Sequence, residues 1–244
     1  MVFSIKMLYL IGLGLNVDGI SKFGLVAAKK CKRIYLENYT VDFPYSRIQL
    51  EEVIGKKIIE ADRNFVEGLE IIDEAEKCDV ALLVYGSPLT ATTHIALLLE
   101  AKKSRIRTKV IYNASVFDAV AGTGLQIYKF GKIASMPCWK KSFEPDSFMK
   151  TVQENMSMKA HSLILVDIGL EFQDALKQLE ECANKYNLPL KKIIVCSQLG
   201  TQNEKIFYKT PEEFKEYENI KKPYCIIIPS KLHFVESEFL KNFE

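Results

Sequence analysis

Residues 7–15 read Met-Leu-Tyr-Leu-Ile-Gly-Leu-Gly-Leu, a run without a charged residue that ends in two closely spaced glycines. The continuous apolar part, Met7–Ile11, is typical of a strand that is covered on both faces in a parallel sheet. Glycines directly after such a strand indicate a tight turn, or a loop in which the backbone approaches a ligand closely. We therefore expect an α/β domain whose first strand begins at Met7, and either Met1 or Met7 could be the native start.

Strands and amphipathic helices alternate after this first strand. The βαβα order predicts a mostly parallel sheet with right-handed crossovers, in an N-terminal α/β domain over residues 1–113. Further strands are predicted at Arg33–Glu37, Lys57–Glu60, Val80–Tyr85 and Thr108–Tyr112, and helices at Ser21–Lys30, Arg47–Gly55, Asp62–Lys77 and Thr92–Ser104.

The pattern is less regular after Asn113, where we place the domain boundary. Fewer helices separate the strands, which predicts a C-terminal α/β domain over residues 114–244 with a mixed sheet. Strands are predicted at Ser162–Asp167, Lys192–Ser197, Lys205–Lys209 and Tyr224–Pro229, and helices at Ser115–Ala121, Ser147–Asn155, Glu171–Tyr186 and Val235–Asn242.

Composition excludes several classes of function. The chain has 244 residues, with 33 basic and 31 acidic side chains and a net charge of +2. That balance argues against a nucleic-acid binder. The longest apolar stretches, such as Val80–Tyr85, are too short to span a membrane, and residues 1–6 lack the order of a signal peptide. The six cysteines form no C-x-x-C pair and the three histidines lie far apart, so we expect no metal site. Reduced thiols fit a cytoplasmic protein.

The glycine loop Gly12-Leu13-Gly14-Leu15 partly matches a dinucleotide-binding fingerprint. That fingerprint needs a third glycine and a helix that follows directly, but Val17 and a polar stretch stand there instead. Glu37, at the end of the second strand, could take the place of the acid that binds ribose. An NAD-linked oxidoreductase is therefore the weaker interpretation, beside a simple turn or a different ligand loop.

A second loop, Gly86–His94, follows the most apolar strand and is rich in hydroxyl side chains. Ligands of open α/β sheets bind at the carboxyl ends of the strands, where this loop is expected. Thr90 or Thr92 would also serve as the N-cap of the next helix, and such a capped turn is the plainer explanation. Three more segments are unremarkable when each is considered alone: Asn113–Val116, Gly124–Gly131 and Lys231–Glu236.

Taken together and in this order, these segments resemble the diphthine synthases, methyltransferases of the tetrapyrrole-methylase-like superfamily that use S-adenosylmethionine. The resemblance extends from Met7 to about Phe239. The first glycine run and the Gly-x-Pro turn are shared by the superfamily. Three runs are more specific: Ala91-Thr-Thr-His94, Ile127-Tyr-Lys-Phe-Gly131 and Lys231-Leu-His-Phe-Val-Glu236.

The resemblance implies a fold of two α/β domains with S-adenosylmethionine in the cleft between them, and a homodimer. Ser87 stands where the family usually has aspartate, so it offers a neutral hydroxyl instead of a carboxylate to the cationic cofactor. No catalytic residue is identified; His94 is the best side-chain candidate, and a histidine that only orders the loop is an equally good interpretation. The cofactor positions that carry over, one by one, are Leu15, Ser87, Thr90, Ser115, Val116, Val166, Leu199 and Tyr224.

The substrate that the resemblance implies is translation elongation factor 2. Its target histidine carries a 3-amino-3-carboxypropyl group, whose amine would be trimethylated to give diphthine. An α-amine has a pKa of about 7.7–8.0, so roughly a tenth is neutral at pH 7 and no strong base is required. Two alternatives stay open: a methyltransferase of the same fold that acts on a tetrapyrrole (corrinoid) precursor, and a nucleotide-binding module without catalysis.

Overall fold

The computed structural model describes residues 6–217 and 219–244 of the chain. The chain divides into two compact units between Asp118 and Ala119. Each unit contains one five-stranded sheet with helices packed on it, so the predicted α/β class is confirmed. The choice between Met1 and Met7 as the native start concerns residues outside the described ones. No helix within the described ranges is long and apolar enough to cross a membrane.

The sheet of the first unit is fully parallel, as the βαβα pattern predicts. Its strand order is β3-β2-β4-β1-β5. The strands are β1 (Met7–Gly12), β2 (Arg33–Glu37), β3 (Ile59–Ala61), β4 (Val80–Val84) and β5 (Arg107–Ile111). The helices are α1 (Lys22–Lys30), α2 (Arg47–Ile54), α3 (Arg63–Glu67), α4 (Glu70–Lys77), α5 (Ile95–Lys103) and the short α6 (Val116–Ala119).

Two apolar cores cover the two faces of this sheet. Side chains alternate along a strand, so Leu82 packs on one face of the central strand β4 and Leu83 on the other. We call the first the α4 face, because α3, α4 and α5 pack there through residues such as Val66, Ile72 and Leu97. The second is the α1 face, where α1 and α2 pack. A central strand buried on both faces explains the unbroken apolar sequence of β4.

Two predicted helices begin or end elsewhere in the structure. The prediction of a single helix over Asp62–Lys77 is wrong. The helix is interrupted at Gly68, and Leu69 takes a left-handed conformation with φ 70°. Glycine is a poor helix former, and here it ends α3 instead of continuing it. The prediction that Thr90 or Thr92 caps the next helix is also wrong, since α5 begins later and its N-cap is His94.

The sheet of the second unit is mixed, with the order β6-β7-β10-β8-β9. Strand β10 runs antiparallel to both β7 and β8, and β6 is parallel to β7. The strands are β6 (Ala134–Met136), β7 (Ser162–Val166), β8 (Ile193–Ser197), β9 (Lys205–Lys209) and β10 (Tyr224–Ile228), and the α-helices are α7 (Ser147–Ser157), α8 (Phe172–Lys185), α9 (Pro211–Phe214) and α10 (Phe234–Leu240). Sequence patterns missed β6 and α9, which are too short to show a period.

Candidate active site

The ends of β1 and β4 are joined by their glycines. The Gly14 amide donates to the Gly86 carbonyl at 3.1 Å, and the Gly86 amide donates back to Gly14 at 2.9 Å. Gly14 has φ +73°, a conformation that residues with a Cβ rarely adopt. The two glycine loops that the sequence analysis selected therefore form one interlocked pair at the carboxyl edge of the first sheet.

Gly12 and Asn113 tie the end of β5 into the same arrangement. A Cβ atom on Gly12 would lie 2.6 Å from the Gly86 carbonyl oxygen and 2.9 Å from the Asn113 Cβ. The Asn113 side-chain amide donates to the Gly12 carbonyl at 3.0 Å and to the Gly19 carbonyl at 2.8 Å. Asn113 thus holds both ends of the first glycine loop, a role that sequence inspection did not assign to its side chain.

The structure brings five of the predicted cofactor positions to this edge. Leu15 is buried, and its carbonyl accepts a hydrogen bond of 3.1 Å from the Tyr85 hydroxyl. The Thr90 amide donates a hydrogen bond of 3.1 Å to the Ser87 carbonyl, and this bond closes a turn. Ser115 is buried, and its hydroxyl donates to Asp118 at 3.1 Å. The five positions are Leu15, Ser87, Thr90, Ser115 and Val116, and all follow β1, β4 or β5.

These loops offer hydroxyl groups and main-chain atoms, and the five positions include no lysine or arginine. That donor set fits a positively charged sulfonium cofactor better than a polyanion. The Glu37 side chain is 0% exposed, and its Oε2 accepts a hydrogen bond of 2.9 Å from the Thr40 hydroxyl. The NAD interpretation still lacks the third glycine, because Val17 stands in its place.

The remaining three predicted positions meet at one edge of the second sheet. Tyr224 opens β10 opposite Ser197, the last residue of β8, while Val166 ends β7 and Leu199 follows β8. The Tyr224 side chain is buried in the core, where its hydroxyl donates a hydrogen bond of 3.0 Å to the Leu170 carbonyl.

Gln198, beside Leu199, was missed by the sequence analysis. Its side-chain nitrogen donates to the Lys222 carbonyl at 2.8 Å, and its buried oxygen has no hydrogen-bond partner among the described residues. A lone glutamine belongs to no motif, so no sequence signal could have selected it.

His94 anchors the second glycine loop. Its Nδ1 lies 2.9 Å from the Pro88 carbonyl, so Nδ1 carries the proton and donates it there. Burial lowers the pKa of His94, which keeps the ring neutral, and Nε2 is then an acceptor without a partner among the described residues. The interpretation that His94 orders its loop is supported, and a free acceptor atom remains for a ligand.

Two family-specific runs meet at Glu236 in the second unit. The carboxylate is 0% exposed and accepts hydrogen bonds from the Lys129 ammonium and from the His233 main chain at 2.7 Å. It also accepts from the Gln126 main chain at 2.9 Å and from His161 Nε2 at 3.3 Å. The Ile127–Gly131 and Lys231–Glu236 runs therefore depend on each other because they share one buried carboxylate.

A cavity of about 550 Å³ lies at the β2–β3 edge of the first unit. It is lined by residues that include Arg33, Asn38, Glu60, Asp62 and Glu70, and none of its lining residues belongs to the three loops described above. This cavity is a competing place for a ligand.

The chain is similar to known proteins over nearly its whole length. Residues 7–215 match the family of Tetrapyrrole (Corrin/Porphyrin) Methylases. Diphthine methyl ester synthase of Schizosaccharomyces pombe is 34% identical, over 97% of this chain and 94% of that protein. Diphthine synthase of Methanocaldococcus jannaschii is 36% identical, over 96% of this chain and 98% of that protein. A crystal structure of a diphthine synthase superposes with a TM-score of 0.88 at 30% identity, covering 98% of this chain and 96% of the other.

Replacing Gly12 by alanine should destabilise the protein. The added Cβ would overlap the Gly86 carbonyl and the Asn113 side chain, and backbone atoms cannot move away cheaply. We expect a loss of about 3 kcal/mol in the free energy of unfolding, measured by urea denaturation. Gly122→Ala is the control, because its Cβ would meet only Ile206, at 3.8 Å. Equal stability of the two variants would show that the glycine loops are not closely packed.

Replacing Glu236 by glutamine should cost on the order of 3 kcal/mol, because it leaves Lys129 and His161 without their buried anion. Burial alone would raise the pKa of Glu236, but the hydrogen bonds that it accepts lower it from 4.5 to about 2. The carboxylate thus stabilises the fold above about pH 4.5, and this contribution is lost as pH falls toward 2. Denaturation from pH 6 to 2 should show a smaller pH dependence in Glu236→Gln than in the exposed control Glu238→Gln; identical profiles would contradict this assignment.

Proposed function

Because the chain belongs to the diphthine synthases, a branch of the tetrapyrrole methylases, we propose that it transfers methyl groups from S-adenosylmethionine to elongation factor 2. The acceptor is the amine of the 3-amino-3-carboxypropyl group on the modified histidine, and the product is diphthine. The observation that carries the proposal is the 36% identity to a diphthine synthase over 96% of this chain. The protein is a methyltransferase. The identity of its cofactor and the identity of its substrate are what we propose.

The cofactor would supply a methyl group that is bound to a positively charged sulfur. When the methyl group is transferred, the sulfur becomes a neutral thioether. In the first unit, Leu15, Ser87, Thr90, Ser115 and Val116 would hold it at the carboxyl edge of the sheet, where ligands of such sheets bind. The hydroxyl-rich donor set supports this assignment. In the second unit, Val166, Leu199 and Tyr224 are the proposed contacts, with Gln198 Oε1 as an additional acceptor.

Methyl transfer to nitrogen needs the neutral amine in line with the bond between sulfur and carbon. Holding two reactants in such an arrangement can supply about 7–11 kcal/mol of the barrier. The interlocked glycine loops suit this task, because their main-chain atoms are fixed by hydrogen bonds of 2.9 and 3.1 Å and need not reorganise. We propose positioning as the main source of catalysis.

The names of the relatives differ in their product. The S. pombe protein is a diphthine methyl ester synthase, whereas the M. jannaschii protein is a diphthine synthase. A methyl ester requires one more methyl group, on a carboxylate, than trimethylation of the amine does. We propose the trimethylated amine as the product of this chain, and counting the transferred methyl groups decides between the two.

We also propose a homodimer in the cytoplasm. The resemblance to the diphthine synthases supports the dimer, and closed twofold assembly is the commonest oligomeric state. The cytoplasm is where an elongation factor is found. Sedimentation equilibrium at micromolar concentration decides the oligomeric state.

Calorimetry should show binding of S-adenosylmethionine and S-adenosylhomocysteine and no binding of NAD. Ser87→Asp should retain or tighten the binding of S-adenosylmethionine, because a carboxylate near the sulfonium contributes about 1–2 kcal/mol more than a neutral hydroxyl. S-adenosylhomocysteine, which is not a sulfonium, is the matched ligand control and should gain less. A tenfold loss of S-adenosylmethionine affinity in Ser87→Asp would show that this loop does not face the sulfonium.

Intact-mass analysis of elongation factor 2 tests the substrate. We expect three added methyl groups on the factor that carries the aminocarboxypropyl group and none on the factor with unmodified histidine. A fourth methyl group that mild alkali removes would identify a methyl ester and extend the reaction. No transfer to the modified factor, together with methylation of a corrinoid precursor, would move the assignment to the tetrapyrrole alternative.

A further inference from the structure

Four buried side-chain polar atoms in the first unit have no hydrogen-bond partner among the described residues. Three of them are Oε1 of Glu37, the hydroxyl of Tyr39 and Nε2 of His94, and the fourth is the hydroxyl of Tyr45. Glu37 and His94 are 0% and 1% exposed, so protein surrounds both side chains. Burying a polar atom without a partner is costly, and three such atoms in one region indicate a site for a ligand.

All three residues belong to the α4 face of the sheet, at its carboxyl edge. Glu37 ends β2, and side chains two apart on a strand share a face, so it points to the side of Tyr35, which packs in the α4-face core. Tyr39 packs against the same core. His94 precedes α5, whose Leu97 packs there too. The buried hydroxyl of Tyr45 also lacks a partner, but its neighbour Phe43 packs on the α1 face.

Charged groups on α3 and on the loop before α5 connect these residues. The Arg63 guanidinium lies 5.1 Å from the centre of the Tyr39 ring and 3.8 Å from the Glu67 carboxylate. Glu67 in turn accepts a hydrogen bond from the Thr93 hydroxyl at 3.1 Å, next to His94. Burial and the charges of Glu37 and Glu67 raise the pKa of Tyr39, and the charge of Glu67 also acts on His94.

The Glu37 carboxyl is suited to accept a proton. Its Oε2 is occupied by the Thr40 hydroxyl at 2.9 Å, which leaves Oε1 free. Burial raises the pKa of Glu37 from 4.5 to about 7, against hydrogen bonds from the Thr40 hydroxyl and from the main chain of Tyr39 and Thr40, and against the charge of Arg63. A carboxyl group with this pKa is ionised in part at neutral pH and can take a proton from an amine.

We propose that Glu37, Tyr39 and His94 bind the acceptor amine, and that Oε1 of Glu37 takes the proton that this amine must lose before it is methylated. The inference rests on the proposed function, because it names the place of the amine in that reaction. The loops that would hold the methyl donor follow β1, β4 and β5, and Glu37 ends β2, the direct neighbour of β4. The amine site would therefore border the donor site along one sheet edge.

The proton and the methyl group move in two steps. The ammonium transfers a proton to Oε1, giving a neutral amine and a neutral carboxyl group. The nitrogen lone pair then forms the new bond to the methyl carbon while the bond between carbon and sulfur breaks, and its electrons stay on the sulfur. The carboxyl group returns its proton to water when the product leaves. Three methylations need three such proton losses, and the quaternary product has no further proton to give.

The raised pKa of Glu37 makes the first step inexpensive. When an α-amine with a pKa of about 8 gives its proton to a carboxylate whose pKa is about 7, the charged pair outnumbers the neutral pair by only about ten to one. With an ordinary glutamate the charged pair would outnumber the neutral pair by more than a thousand to one. Glu37 interacts electrostatically with Tyr39 on its own loop and with Arg63 on α3, and Glu67 on α3 interacts with Tyr39 and with His94. Of these, Arg63 opposes the shift by favouring the ionised carboxylate.

The test measures single-turnover methyl transfer to modified elongation factor 2 from pH 6 to 9. In Glu37→Gln we expect a rate about a hundredfold lower than wild type at pH 7, a deficit typical of a lost general base. The deficit should narrow about tenfold by pH 9, where the free amine is already neutral. Glu37→Asp, which keeps a carboxylate, should restore part of the rate. Glu52→Gln, on an exposed part of α2, is the matched control and should behave as wild type.

Binding of S-adenosylhomocysteine reports on folding, and it should be unchanged in all four proteins. A Glu37→Gln rate within twofold of wild type at pH 7, or a deficit that does not change with pH, would overturn the role of Glu37. If wild type itself transfers no methyl group, the proposed function fails, and the proposed amine site is then tested by binding alone. The probe is then 2-(3-amino-3-carboxypropyl)imidazole, measured by calorimetry. Binding that is lost in Glu37→Gln would support an amine site, and absence of binding to wild type would overturn it.

Discussion

The hydrogen bonds between Gly14 and Gly86 are the constraint on which the candidate site depends. They join the ends of β1 and β4 by main-chain contacts alone, at 2.9 and 3.1 Å. Gly12 allows this approach because a Cβ atom there would lie 2.6 Å from the Gly86 carbonyl. The loops that follow, with Leu15 on one side and Ser87 on the other, are consequently held in fixed positions. A rigid main-chain frame is what a reaction that relies on positioning requires.

The family-specific runs of the second unit have a structural explanation of the same kind. Lys129 and Glu236 lie far apart in sequence, yet their side chains form an ion pair around a carboxylate that is fully buried. His161 completes the arrangement: Nδ1 accepts from the Ser230 amide at 3.0 Å, so Nε2 must donate to Glu236. Removing either charge would leave the other buried without its partner, so these runs are best explained by folding of the unit.

Sequence patterns predicted the parts of the fold that are set by continuous burial. The unbroken apolar run Val80–Val84 is the central strand of the first sheet, and α1 begins and ends within one residue of the predicted helix Ser21–Lys30. The break at Gly68 was not predictable, because one glycine in a helical pattern is often tolerated. At the candidate site, glycine and hydroxyl clusters marked the loops after β1 and β4, whereas the loop after β5 was selected only through the resemblance to the diphthine synthases. The proposed amine site gave no such signal, because Glu37 and Tyr39 follow β2 whereas His94 precedes α5, and only the packing of α3 and α5 on the α4 face relates them.

The carboxyl edge of the first sheet is the proposed place of the methyl donor. A crystal structure with S-adenosylhomocysteine bound tests this placement. We predict that the thioether product lies against the loops after β1, β4 and β5, in contact with Leu15, Thr90 and Ser115. Product bound instead in the cavity lined by Arg33, Glu60 and Asp62, at the β2–β3 edge, would contradict this placement of the donor.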